Sequence, residues 1–423
     1  MTAIRVLYVE SGESGTGGSF ESLYQEIAAV HPDPVDAVAI VLNDSWCVAR
    51  LRELGVPCYR LAGHLYDRER RDRLGGRTLF RIASVLDRVA FFPLSPAFDW
   101  IVHRPLIRRV QSIARRHRVD LIHLNTQIHR DFFAALAARA CRVPFVSHLR
   151  SYFEGLAPAK ARAANRWASA YLAITAGVRD HWVRQGVAAD RTVILHNSLP
   201  DLSVRALDLT REWGVPAGSR VVGCIGRMTE RRHFDWAIRA FEKVRASHIA
   251  LRLVIVGDGE RRGDFRELVE RAGLSGEVLM PGYDPRGMEF LAAVDVFVEC
   301  RDVEPFGRVL LEAWQVGTPA VLARVEPLED IVVHGTNALL YEPGSAEDLA
   351  RQIDLVLSDE ALARRLADGG KETCRRLFGD DLFRRELAGI YGRVLSRNRI
   401  RTGSFPARSV PTGSPPAGGA PRR

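Results

Sequence analysis

Two carboxylates eight positions apart, Glu304 and Glu312, flank the turn Phe306-Gly307 and the run Arg308-Val309-Leu310-Leu311. On an arbitrary helix such a pair is a solvated face. Here it follows VDVFVEC (294–300), a dense β-branched and aromatic stretch that reads as a buried strand, and precedes WQVGTPAV (314–321). That grammar is strand, glycine turn, helix, strand. It puts Glu304 in the loop at a strand's carboxyl end and Glu312 one to two turns into the helix. Backbone N–H groups at the Gly307 turn and the helix start would face a phosphate, and the helix dipole would favour its negative charge. A second constellation lies at CIGRMTERRHF (224–234), where Arg227 follows a strand end and Arg232 opens the next helix, with Arg231 as an alternative to it. Two cations there suit a pyrophosphate, because they neutralise charge that builds on a leaving group.

Three further groups sit at predicted strand ends. Gly15, Gly17 and Gly18 precede a helix and allow close backbone approach to a phosphate or sugar. Their spacing is not G-x-G-x-x-G, and no acid follows the next strand convincingly, so the pattern gives NAD binding poor support. His148 and Arg150 end the strand VPFVSHL (143–149), and Asn125 and His129 follow VDLIHLN (119–125).

The elements that must position these residues alternate between strand and helix. IRVLYVE (4–10), VDAVAIVL (35–42), VPCYRL (56–61), VDLIHLN, VPFVSHL and AYLAITA (170–176) form one series. RVVGCIGRM (220–228), LRLVIVGDG (251–259), EVLMPGY (277–283), VDVFVEC and TPAVLA (318–323) form a second. Such repeats predict doubly wound parallel sheets, whose ligands lie at the carboxyl edges of the strands. The turn-rich LHNSLPDLSV (195–204) predicts the hinge. The expected division is 1–197, 198–377, a helix at about 378–396 packing back on the first domain, and a disordered Pro/Gly/Ser/Arg-rich tail at 397–423.

The Glu304 to Glu312 segment resembles the Glu, seven residues, Glu motif of retaining glycosyltransferases of the GT-B fold, glycosyltransferase family 4. Arg227 matches the arginine of that family's Gly-Arg-Leu…Lys-Gly motif, with Arg232 where lysine is usual. The resemblance implies two Rossmann-like domains facing across a cleft. It implies that Glu312 holds the donor ribose and that Arg227 and Arg232 hold the pyrophosphate, with amides of Phe306, Gly307, Arg308 and Val309 nearby. Glu304 would contact the transferred sugar, and His148 resembles the cleft histidine that also contacts it. Gly17 and Gly18 would line the cleft, and Asn125, His129 and Arg150 are acceptor-side candidates. GDGE (257–260) and Asn197 of HNSL would set turn and hinge geometry. Glu326-Pro327 stand where the family carries two glycines. No Asp-x-Asp occurs, so a metal-clamped route lacks its ligands, and neither metal nor cofactor is expected. The implied activity is retaining transfer of a hexose-type sugar from a nucleotide diphosphate sugar to a glycan, lipid-linked or small acceptor. A GT-B epimerase or phosphorylase, and a non-catalytic nucleotide-sugar scaffold, are the alternatives.

Composition narrows the partners. At 423 residues, 47% hydrophobic and 26% charged, the chain fits a two-domain globular protein. The opening MTAIRVLYVE reads as a strand rather than a signal peptide, and six scattered cysteines fit free thiols in a reducing cytoplasm. Residues 60–118 carry 14 Arg against five acids, a local excess equal to the chain's whole net charge of +9. Aromatic residues interleave with them, including Phe91, Phe92, Phe98 and Trp100. That composition fits peripheral attachment to the anionic inner face of a membrane, and no nucleic-acid motif accompanies it.

Overall fold

The computed structural model describes residues 3–12, 18–43, 46–61, 95–152, 156–200, 203–248, 250–302, 307–325 and 331–402. Two parallel sheets organise them. The first has seven strands: β1 (Ile4–Glu10), β2 (Val35–Val41), β3 (Cys58–Arg60), β4 (Leu121–Leu124), β5 (Phe145–Leu149), β6 (Ala170–Ala173) and β7 (Thr192–Ile194), in the order β3-β2-β1-β4-β5-β6-β7. The second has six: β8 (Arg220–Ile225), β9 (Leu251–Val256), β10 (Val278–Gly282), β11 (Val296–Glu299), β12 (Ala320–Ala323) and β13 (Leu339–Tyr341), ordered β10-β9-β8-β11-β12-β13. Helices cover both faces, so the central strands are buried runs without polar alternation, as a parallel sheet requires. This is the two-Rossmann-like architecture of the GT-B fold.

Strand order reverses between β1 and β4 in the first sheet and between β8 and β11 in the second. A crevice opens where neighbouring connections leave in opposite directions, which makes these two points the places for ligands. The first is bordered by Glu10, Asn125 and His148, the second by Gly226, Arg227 and Glu299. The last helix, Asp380–Thr402, returns to the first domain. Its Phe383, Leu387, Ile390, Tyr391 and Val394 recur at helical spacing and pack against Val6, Tyr8, Phe20, Leu23 and Ile27. It continues to Thr402, past the expected boundary at 397. The rest of the tail, 403–423, lies outside the described residues, as do 62–94 and Glu326-Pro327.

Candidate functional site

On the second domain, Gly307 opens the helix Arg308–Val316 with φ 75°, a left-handed conformation that glycine adopts without a Cβ clash. Leu310, Leu311, Ala313 and Trp314 are buried, which leaves Arg308 and Glu312 on the opposite face. Trp314 anchors the helix by donating its indole N–H to the Asn337 carbonyl at 2.7 Å. Arg308 reaches Glu312 at 3.4 Å and the side-chain oxygen of Gln25 at 3.1 Å, so its guanidinium spans the two domains. Burial raises the Glu312 carboxyl, and Arg308 partly offsets that shift. Glu304 and Phe306 lie outside the described residues, as does Gly17. Gly18 is the first residue of the helix Gly18–Val30.

Beside this helix, the loop after β8 is built on glycine. Gly226 donates its N–H to the Val256 carbonyl at 2.9 Å, and Met228 to the Asp258 carbonyl at 2.9 Å. A Cβ on Gly257 would lie 1.9 Å from the Gly226 oxygen, and one on Gly259 2.3 Å from that of Met228. The Gly-Asp-Gly turn therefore carries the loop that presents Arg227. Arg227 is exposed, and its guanidinium has no hydrogen bond or ion pair with any described residue. Arg232 differs. It is buried and bonded to Glu299 at the end of β11, with Arg301 3.4 Å from the same carboxylate oxygen. Of the two expected phosphate cations, only Arg227 is open to an incoming anion in this conformation.

Across the cleft, buried polar groups cluster around Arg150. It donates to the Asn125 carbonyl at 2.8 Å, the Asn125 side-chain oxygen at 2.7 Å, Glu26 at 2.6 Å and the Asn197 side chain in the hinge. Asn125 also donates to Glu10, which accepts from Thr126 at 2.9 Å and from the Gly12 N–H at 2.7 Å. His148 is fully buried, 2.9 Å from His123 and 3.0 Å from Arg150. Burial pushes Glu26 up to about 7, against the pull of Arg150, and drives His123 and His148 well below the ordinary imidazole value. Glu26, His123 and His148 put three metal-type ligand atoms within 4.8 Å of one another. The guanidinium of Arg150 already occupies the cation's place beside Glu26. His129 stacks on Trp182, with ring centroids 5.8 Å apart.

Arg150 and Asn125, expected at the acceptor, thus form the floor of the first crevice and are engaged with protein groups. Glu26, His123, Tyr391 and Glu299 were absent from the sequence reading. Three of them carry a signal that could have found them: Glu26 shares a helical stripe with Leu23, Ile27 and Val30, and His123 and Glu299 sit within apolar strands. A charged or polar residue in register with a core face requires a partner.

Residues 47–200 match the family described as Glycosyltransferase Family 4, and residues 208–373 the one described as Glycosyl transferases group 1. The lipopolysaccharide core biosynthesis glycosyltransferase LpsE of Rhizobium meliloti is 39% identical over 158 residues, which are 37% of this chain and 45% of LpsE. LpsD of the same organism is 34% identical over 181 residues, 41% of this chain and 52% of LpsD. The chain spans about half the length of these curated relatives. HepE of Anabaena in complex with UDP superposes with a TM-score of 0.75 at 22% identity, covering 92% of this chain and 100% of that one. Its complex with UDP-glucose gives 0.73 at 23% identity, with the same coverage. At that identity the likeness is one of fold.

Proposed function

Since the chain belongs to the GT-B glycosyltransferases, with a family 4 domain followed by a group 1 domain, we propose that it moves a hexose-type sugar from a nucleoside diphosphate sugar to a cell-envelope glycan or its lipid-linked precursor. One observation carries this reading. The helix that Gly307 opens, with Glu312 on it, and the loop of the open Arg227 follow β11 and β8, the two strands of the second domain's order reversal, and Arg308 reaches across to Gln25. A nucleotide there has its ribose on Glu312, whose remaining lone pairs accept hydroxyl protons. Its pyrophosphate lies between Arg227 and the helix N-terminus, where both the dipole and a full cation oppose the charge released as the glycosidic bond breaks. No divalent ion is required.

Glu304 takes the transferred sugar's hydroxyls and favours the oxocarbenium-like state. Transfer proceeds with retention, the departing phosphate accepting the acceptor's proton on the face it leaves. Thermal unfolding with UDP, GDP and ADP sugars tests the donor class, with UDP-glucose first because the HepE complexes hold UDP and UDP-glucose. A donor at 100 times its Kd adds about 2.7 kcal/mol of stability. A shift with no sugar, and no transfer to envelope extracts, refutes the proposal. Interconversion of the sugar without an acceptor favours the epimerase alternative.

We further propose peripheral attachment through the described part of the basic segment. Trp100 and Ile101 are 47% and 67% exposed, and Arg104 lies over the Trp100 ring at 5.2 Å. Along the helix Arg104–Arg116, Leu106, Ile107, Val110, Ile113 and Ala114 face the core, while Arg104, Arg108, Arg109, Arg115 and Arg116 are exposed. Each arginine at an anionic surface contributes about 1 kcal/mol, so this face alone supplies several. No helix among the described residues is long and apolar enough to cross a membrane. Equal co-sedimentation with neutral and anionic vesicles, at low and high salt, would refute attachment.

A further inference from the structure

Four buried side chains form one line of hydrogen bonds beneath the first crevice. Tyr8 Oη lies 3.1 Å from Tyr391 Oη, which lies 2.6 Å from His123 Nδ1. His123 Nε2 lies 2.9 Å from His148 Nδ1, and Arg150 Nη2 lies 3.0 Å from that same nitrogen. Arg150 sets the direction at the His148 end, where Glu26 Oε2 also lies 3.4 Å from the same nitrogen. A guanidinium only donates, so His148 Nδ1 presents a lone pair to it, and the neutral ring carries its proton on Nε2. His123 must then donate from Nε2, which leaves its Nδ1 as an acceptor. Tyr391 donates to that nitrogen, and Tyr8 donates to Tyr391. At the end of the line His148 Nε2 is buried and has no hydrogen-bond partner. A buried N–H of this kind is costly unless something accepts from it.

We propose that Tyr391 and His123 are positioning residues that hold His148 as a neutral Nε2–H donor for an oxygen of the bound substrate. The inference rests on the glycosyl-transfer reading for the identity of that oxygen, a sugar hydroxyl, but not for the proton arrangement. Glu26 is the competitor. Its Oε1 lies 3.1 Å from His123 Nδ1 and has no hydrogen-bond partner. Were His123 to carry its proton on Nδ1 and donate to Glu26, its Nε2 would oppose a lone pair to that of His148 Nδ1, and His148 could relieve this only by moving its own proton to Nδ1 and losing the Arg150 hydrogen bond. Tyr391, closer at 2.6 Å and able to donate where an ionised Glu26 cannot, supports the forward direction that Arg150 sets at the other end. Because Tyr391 stands on the returning C-terminal helix, the tail end of the chain determines what a first-domain group offers the substrate.

Nitrogen-15 spectra of histidine-labelled protein read the ring protons without turnover, so their outcome is independent of whether the glycosyl-transfer reading holds. In the wild type, His123 and His148 are expected with the proton on Nε2 and unchanged between pH 6 and 8. Tyr391→Phe removes one hydroxyl, and the His123 proton should move to Nδ1. Adding Glu26→Gln should restore the original arrangement, since the amide can donate to Nδ1. With the true donor, Tyr391→Phe should lower kcat about 5- to 10-fold with little change in donor KM. A wild-type His148 that is charged or carries its proton on Nδ1 overturns the proposal. So does a Tyr391→Phe variant whose His123 is unaltered. Should that variant fail to fold, the wild-type spectrum alone decides.

Discussion

Replacing Arg150 by Met tests whether this arginine is the counter-ion that makes the polar floor of the first crevice tolerable. The Glu26 carboxyl is 2% exposed and sits 2.6 Å from the guanidinium, so removing the cation leaves a buried charge without compensation. Such losses cost about 3–5 kcal/mol when the charge must stay. Glu26 has another route, because it can take up a proton. Its pKa is already about 7 with Arg150 present, and Arg150 is what lowers it. The folded value lies above the unfolded one, so protonation favours the folded state at low pH and that contribution is lost as pH rises through the folded pKa. At pH 6 the carboxyl is mostly protonated in both proteins, and Arg150→Met should cost only hydrogen bonds, about 1–2 kcal/mol. Above pH 7 the wild type has released its proton while the variant must still bind one. Each further pH unit then adds about 1.4 kcal/mol, or about 2 kcal/mol by pH 8.5. Urea unfolding of both proteins at the two pH values measures the difference. In the Glu26→Gln background the pH dependence of the arginine's effect should vanish. An identical cost at both pH values, or strictly additive single and double variants, would refute the counter-ion role.

The other expectations can be checked together. Glu312→Gln should chiefly raise donor KM, and Glu304→Gln should lower kcat, as steady-state kinetics with the identified donor would reveal; near-normal kcat/KM in both would remove the site assignment. Arg227→Ala should weaken donor binding with little effect on unfolding, whereas Arg232→Ala leaves buried Glu299 with Arg301 as its remaining cation and should destabilise by about 1–3 kcal/mol. Gly257→Ala should impair donor binding as well as folding, because its Cβ would sit 1.9 Å from the Gly226 carbonyl oxygen and displace the Arg227 loop; unchanged nucleotide affinity would contradict that. Exhaustive chelation should leave transfer intact, and activity restored only by manganese or magnesium would end the arginine account.

What was legible in the sequence, and what was not, divides along contact distance. The buried strands announce themselves as apolar runs, Gly307 announces a left-handed turn, and the spacing of Leu310, Leu311 and Trp314 places Glu312 on the open face. All of that is local. Arg232 is the counter-example: its position after a strand and before a helix suits a phosphate, yet its guanidinium turns to Glu299. That pairing exists because β8 and β11 lie side by side, which topology decides and no local spacing encodes. The same holds for Tyr391 and His123, which are 268 residues apart.

A single rule covers the residues that local reading overlooked. Glu26, His123, Glu299 and Tyr391 all occupy positions where a hydrophobic side chain would satisfy the surrounding pattern. Burying a carboxylate or an imidazole among core residues destabilises the fold unless a partner is present, so each marks a place where the chain must bring a second polar group from elsewhere. Here those partners converge on the carboxyl edges of the two strand-order reversals. The core stripes therefore carried functional information in their exceptions. Arg150 ties Glu26 to the hinge residue Asn197, and Arg308 ties Gln25 to Glu312. At the second crevice a guanidinium of one domain is held against the other, and a donor on Glu312, as proposed, would have to share that carboxylate with the Arg308 that makes the link.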